Sequence, residues 1–394
     1  MELDIVGLAG ACSYALDCIE AELVHVTNRH GKRVAYISVC MAQQFGIRGA
    51  ALQDLAICAL LHDNALTQYI HEELQNDLTL ATGERLTRQL GVHCVYGEQN
   101  LEKFPFQTDV KDVIRYHHEN ADGSGPFQKT WQEVPLFARI IHLADLVDMI
   151  GDAAQAKAYL QKNRGTLFDA ACVDAFFETF SETEWNALRA DQKEELLWKK
   201  IPRHKYNYDF ATCKAIADLF AAIIDYKSEF TSRHSLGVAA QVAHLAEYMG
   251  YDTEAVEKMY LAGALHDIGK MAIGNEILEK PGRLTDEEFA RMKNHAGYTY
   301  LILSEVEDFE EIRDWAALHH EKLDGSGYPF GKTAEELNEP ERMLACIDIY
   351  QALTESRPYK DGMPHEKACA ILADMAEKGW LDAAITEKIR LCFA

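Results

Sequence analysis

Ala264-Leu265-His266-Asp267-Ile268-Gly269-Lys270 and His319-His320-Glu321-Lys322-Leu323-Asp324-Gly325-Ser326-Gly327 decide how this chain is read, because each has a partner earlier in it. Leu61-His62-Asp63 answers Leu265-His266-Asp267. His117-His118-Glu119-Asn120-Ala121-Asp122-Gly123-Ser124-Gly125 answers the second stretch. The spacing agrees as well. His30 to His62 and His234 to His266 are both 32 residues, and the next matched histidine follows after 31 (His93) or 29 (His295). Another 24 residues reach each His-His pair, and a last aspartate lies 27 (Asp145) or 28 (Asp348) residues beyond the pair. Ten of the 16 histidines fall on matched positions, so the chain is a duplicated domain.

The match runs past the polar residues. Asp169-Ala170-Ala171 stands opposite Asp382-Ala383-Ala384, so the first repeat ends near Phe180. Ser181-x-x-Glu184 reads as a capping box that opens a polar helix to about Lys200, and Pro202 breaks it. Asp209 to Tyr226 then presents an apolar helical face that begins the second repeat. The expected domains are 1–185 and 186–394. Apolar residues recur at three- and four-residue spacing from Glu254 to Leu265 and from Glu288 to Leu303, behind a second capping box at Thr285-x-x-Glu288. No long stretch alternates with period two. The expected fold class is all-α.

Composition narrows the function. Among 394 residues, 39 Lys+Arg face 63 Asp+Glu, a formal charge of −24. That leaves no broad basic face for a nucleic-acid polymer or an anionic membrane, although buried cations can still hold a small anion. No run approaches a membrane span, and the N-terminus lacks the order of a signal peptide. Ten cysteines without a Cys-x-x-Cys pair read as reduced thiols in a cytoplasmic protein.

The set His234, His266, Asp267, His295, His319, His320 and Asp348 offers five imidazoles and two carboxylates. It is too large for one tetrahedral zinc and contains no sulfur, so two divalent first-row ions, iron or manganese first, suit it better. An adjacent His-Asp pair lets the carboxylate bridge two ions, and a His-His pair can send one ring to each. Two such ions activate a water between them and clamp the oxygens of a phosphoryl displacement. Buried histidines in a helical core are the bland alternative, and it is kept for the unmatched His25, His71, His142, His204, His244 and His365.

The segment around His266, together with His319 to Gly327, Tyr328 and Pro329, resembles the HD-GYP family of HD-superfamily phosphodiesterases. Ile277-Leu278-Glu279-Lys280-Pro281-Gly282 and Arg357-Pro358-Tyr359-Lys360 fit the same pattern. The resemblance covers residues 205 to 394 and implies two tandem HD-superfamily helical domains, the second one catalytic. It implies hydrolysis of cyclic di-GMP to linear pGpG, with GMP as a further product left open, by a metal-bridging hydroxide. The alternatives are a 3′,3′-cGAMP phosphodiesterase or a receptor that binds the dinucleotide without turnover. The seven residues above would be the metal ligands, with Asp267 and Lys270 catalytic. Lys270, Gly327, Tyr328, Pro329, Arg357 and Lys360 would hold the substrate. Some family members take a third metal through a glutamate one turn before the first histidine. Here Phe230 stands four residues and Glu229 five before His234, so two metals are expected. A homodimer is an optional partner state.

The first repeat keeps His30, His62, Asp63, His93, His117, His118 and Asp145 as a second candidate metal set. Its other grips are gone: Leu66 replaces Lys270, the loop reads Gly125-Pro126-Phe127, and Ala154 and Lys157 stand where the second half has Arg357 and Lys360. It reads as a degenerate HD-GYP-like domain, whether a metal-loaded structural partner, a regulatory site or a hydrolase of another ester. The polar helix near 181 to 200 would link its geometry to the second domain.

Overall fold

The computed structural model describes residues 1–24, 29–73, 84–150, 152–189, 198–227, 234–280, 282–356 and 361–394. The described residues form helices and turns, with strand only in the two-residue pieces Glu2–Leu3 and Tyr206–Asn207. Contacts group into two units, one of Asp4–Tyr206 and one of Met1–Leu3 with Asn207–Ala394.

In the first unit the helix His30–Gln44 packs against Gly49–Leu60 and Leu136–Ile150. The interface is lined by Val34, Ile37, Leu55, Leu60, Ile140 and Ile141, none more than 2% exposed. Each such side chain stabilises the fold by roughly 1.5–3 kcal/mol. Leu66–Glu73 packs on Glu84–Asn100, and turns follow from 101 to the Leu136 helix. The capping box at Ser181 is present: Glu184 N donates to Ser181 Oγ at 3.2 Å and Ser181 N to Glu184 Oε2 at 2.9 Å. The helix it opens runs Glu182–Arg189, and residues 190–197 of the expected polar helix lie outside the described residues. Residues 198–206, which sequence patterning assigned to the second domain, pack on the first unit. Gln53 donates to His204 O at 3.1 Å and accepts from His204 N at 2.9 Å. Arg203 pairs with the buried Asp4, and Gly10 leaves room for the Trp198 ring, which a side chain at position 10 would strike.

The second unit repeats the plan. The helix Phe210–Asp225 starts at an Asp209 cap whose carboxylate accepts from Thr212 N. His234–Met249 packs against Thr253–Leu265 and Glu339–Thr354. The helix Asp286–Leu303 opens on the expected Thr285/Glu288 box, and Glu339–Thr354 opens on an Asn338/Glu341 box with Pro340 in its first turn. A short 3-10 helix, Ile268–Ala272, lies against Asp286–Leu303. That approach requires Gly269, because a Cβ there would sit 1.9 Å from His295 O and 2.6 Å from Thr299 N.

Candidate metal centre

The same five places in each unit carry the matched residues. The first histidine opens a helix (His30–Gln44, His234–Met249), and the His-Asp pair follows the end of the next one (Gly49–Leu60, Thr253–Leu265). The third histidine lies within Glu84–Asn100 or Asp286–Leu303. The His-His pair sits in a turn, and the last aspartate lies inside Leu136–Ile150 or Glu339–Thr354. In the second unit, Nδ1 of His266, His295 and His319 each donates to the carbonyl three residues back, Gly263, Met292 and Ala316, at 2.7 Å. A carbonyl only accepts, so Nδ1 of each ring holds a proton and Nε2 is the ring nitrogen turned inward.

Two carboxylates join the rings. Asp267 Oδ2 is 3.2 Å from His266 Nε2, while its Oδ1 is 3.5 Å from His295 Nε2 and 4.0 Å from His319 Nε2. Asp348 Oδ1 lies 2.9 Å from His234 Nε2 and 3.7 Å from His266 Nε2, and Oδ2 lies 3.9 Å from His320 Nδ1. All seven expected ligands therefore converge. Burial pushes the Asp267 carboxyl up, but the charges of His266 and Lys270 outweigh it and hold the group well below the usual range. Burial pushes His319 and His295 down, so those rings are neutral. Burial also pushes His234 down, but hydrogen bonds to Asp348 and Glu355 overcome it and hold the ring up at about 10.

The first unit repeats most of these contacts with the same atoms. Asp63 Oδ2 is 3.3 Å from His62 Nε2, and Oδ1 is 3.3 Å from His93 Nε2 and 3.6 Å from His117 Nε2. Asp145 Oδ1 is 3.3 Å from His30 Nε2, and Oδ2 is 4.0 Å from His118 Nδ1. Both clusters contain buried atoms with no hydrogen-bond partner among the described residues: Nε2 of His62, His117 and His266, and Oδ1 of Asp63 and Asp267. An unpartnered buried polar atom costs about 1–3 kcal/mol, and here several share one spot. Nitrogen and oxygen lone pairs facing one another in this way fit divalent cations. His30/His62/Asp145, His234/His266/Asp348, His266/Asp267/His319 and His295/His319/His320 each place donor atoms within 4.8 Å of one another.

Lys270 belongs to the site. The 3-10 turn, rather than an α-helical one, brings its Nζ to 2.5 Å from Asp267 Oδ2. Tyr328 packs on a candidate ligand, its ring centroid 4.7 Å from that of His320. The turn before it needs glycine, since a Cβ on Gly327 would come within 2.4 Å of Lys322 N. Pro329 lies close beside Gly297 on the Asp286–Leu303 helix. Arg357 and Lys360 lie outside the described residues, as do Glu229 and Phe230. In the first unit, Ala154 and Lys157 are exposed on the helix Ala153–Lys162.

Four carboxylates, two in each unit, were missed by sequence reasoning as parts of these sites. Glu321, 3% exposed, accepts from the backbone of Phe330 at 2.7 Å, Gly331 at 3.1 Å and Lys332 at 3.0 Å, and so ties down the loop that carries Tyr328. Its equivalent Glu119 accepts from Phe127 N and from Lys129 N. Their common place after each His-His pair was the available signal. Glu355 lies 3.5 Å from His234 Nδ1; in the first unit Asp148 holds His30 Nδ1 at 2.8 Å and is itself gripped by Arg33. Of the unmatched histidines, His142 donates to His117 O at 3.0 Å, His365 pairs with Tyr350 at 2.8 Å, His204 is held through its backbone and His244 is exposed. His25 and the side chain of His71 lie outside the described residues.

The chain belongs to the HD domain family, whose model matches it twice, over residues 15–172 and 218–385. A 3′3′-cGAMP-specific phosphodiesterase 1 of Vibrio cholerae is 29% identical over 410 residues, covering 95% of this chain and 88% of its own. A cyclic di-GMP phosphodiesterase of Pseudomonas aeruginosa is 40% identical over 147 residues, 37% of this chain and 36% of its own. The crystal structure of a cyclic GMP-AMP specific phosphodiesterase of V. cholerae superposes with a TM-score of 0.69 at 23% identity, covering 100% of this chain and 98% of that one. It shares the two-domain helical fold. No described helix is long and apolar enough to cross a membrane.

Proposed function

We propose that the second unit is a metal-dependent phosphodiesterase that opens a 3′,3′-cyclic dinucleotide to its linear form. The observation that carries this is one cluster: seven His and Asp donors, Lys270 at 2.5 Å from Asp267, and Tyr328 packed on His320. His234, His266, Asp267, His295, His319, His320 and Asp348 would hold two divalent ions, iron or manganese. Such ions supply Lewis-acid stabilisation and an activated water for in-line displacement. Lys270 puts an ammonium where phosphoryl charge builds, and the family resemblance gives Arg357 and Lys360 the same role. Asp267 holds Lys270 in place. A neighbouring groove of about 660 Å³ is lined by Lys293, Asn294, Tyr298, Tyr328 and Phe330 and offers aromatic faces for a purine. The intact donor set in the second unit favours turnover over a silent receptor.

On substrate, the motif resemblance pointed first to cyclic di-GMP. The nearly full-length likeness to a cGAMP-specific enzyme favours 3′,3′-cGAMP. We read the first unit, which lacks the Lys270 equivalent, as a metal-loaded structural partner, and we place the protein in the cytoplasm. The test is anaerobic incubation of the iron(II)- or manganese(II)-loaded protein with each dinucleotide, with chromatography of the products. Faster loss of 3′,3′-cGAMP supports the substrate assignment, and faster loss of cyclic di-GMP overturns it. No product from either overturns the enzyme reading.

A further inference from the structure

The two clusters match in every histidine and aspartate but differ in one adjacent atom. The residue after His93 is Cys94, and the residue after His295 is Ala296. Cys94 is fully buried on the helix Glu84–Asn100, its Sγ 3.7 Å from His93 Nε2 and 3.8 Å from His117 Nδ1. His93, Cys94, His117 and His118 each offer a donor atom within 4.8 Å of the others; the matching group in the second unit is His295, His319 and His320 alone. His117 Nδ1 donates to Ile114 O at 2.6 Å, and its buried Nε2 has no hydrogen-bond partner among the described residues.

We propose that Cys94 supplies a thiolate to a metal ion in the first unit, which makes that cluster a zinc site of three imidazoles and one sulfur. Zinc sets Zn–N at about 2.0–2.1 Å and Zn–S at about 2.3 Å, so tetrahedral nitrogen and sulfur donors stand roughly 3.5 Å apart. The 3.7 Å between Cys94 Sγ and His93 Nε2 is close to that. A soft sulfur turns the site from manganese, which prefers oxygen donors, toward zinc or cobalt(II). Four protein donors also close the coordination shell, the pattern of structural zinc sites, whereas a catalytic site keeps a position open. When the ion binds, the thiol proton leaves to solvent. The two units then sort metals by chemistry, sulfur-bearing in the first and nitrogen and oxygen alone in the second. This inference concerns the first unit and stands apart from the catalytic reading of the second.

The test uses the full chain, stripped of metal and reloaded with cobalt(II), whose bond to a thiolate gives a charge-transfer absorption in the near ultraviolet. Cys94→Ala copies the residue found at Ala296 and is the first variant; Cys94→Ser, with a harder oxygen, is the second should the alanine variant fail to fold. The expected result is an absorption band in the parent protein that is lost in either variant. With zinc loaded, X-ray absorption should show a sulfur neighbour at about 2.3 Å that the variant lacks. A parent protein without the band overturns the proposal, whether cobalt enters the cluster without sulfur or does not enter it. A band that persists in the variant overturns it too. Substrate turnover does not enter the readout, so its failure and the failure of the catalytic reading are distinguishable.

Discussion

Lys270 Nζ stands 2.5 Å from Asp267 Oδ2, and the position matched to Lys270 in the first unit is Leu66. The units share their histidine and aspartate donors, and this cation is present only in the second. Lys270→Leu should therefore give the second unit the character of the first. We expect kcat to fall by about a hundredfold or more, the usual effect of removing a group that stabilises transition-state charge, with metal content unchanged. Steady-state kinetics with metal analysis of the same sample checks this; unchanged kcat would remove Lys270 from the chemistry.

Glu321 sets the loop through three backbone donors, so its charge matters more than its size. Glu321→Gln keeps the shape but removes the charge and turns an amide donor toward other donors. The expected cost is about 1.5–3 kcal/mol of stability, with a raised KM because Tyr328 loses its anchor. Thermal denaturation and substrate titration read the two effects separately.

Gly269 lies under the helix that carries His295, and its amide donates to Thr299 Oγ1 at 3.1 Å. The first unit makes the opposite exchange: Ala65 replaces the glycine, and Gly97 on the facing helix replaces the threonine. Gly269→Ala alone should destabilise the second unit by about 1–3 kcal/mol through overpacking and shift His295. Gly269→Ala with Thr299→Gly should recover part of the loss. A single variant as stable as the parent would show that the contact yields freely.

His142 gives a pH signature to the first unit. Burial drives its pKa from 6.5 down to about 4, so between those values the unfolded chain binds a proton that the folded chain refuses. Stability is thus fully present above pH 6.5 and is lost as pH falls through that window, by on the order of 3 kcal/mol at the acid end. In metal-depleted protein, His142→Gln should flatten this part of the stability curve. Denaturant melts from pH 7 to pH 4 decide it; identical slopes in parent and variant contradict the assignment.

Much of the fold and donor set was legible because spacing along a chain survives in sequence. His30 to His62 repeats as His234 to His266, and capping boxes such as Thr285/Glu288 mark helix starts by local chemistry. What stayed hidden are neighbours that only the fold brings together. Arg33 and Asp148 are 115 residues apart, and Glu355 reaches His234 from another helix's end. Trp198 sits over Gly10 for the same reason, which is why residues 198–206 pack on the first unit. Cys94 was passed over because a thiol in an apolar helical pattern looks like core; what separates it is the fold that groups it with His93, His117 and His118.

In the proposed function the second unit performs the hydrolysis and the first does not. The most direct measurement compares two double variants of the full chain, His266→Ala with Asp267→Ala and His62→Ala with Asp63→Ala, each loaded with iron(II) or manganese(II) and given 3′,3′-cGAMP and cyclic di-GMP. The His266/Asp267 variant should give no linear product, and the His62/Asp63 variant should give clear product. Product from the His266/Asp267 variant, or its loss only in the His62/Asp63 variant, would contradict that reading.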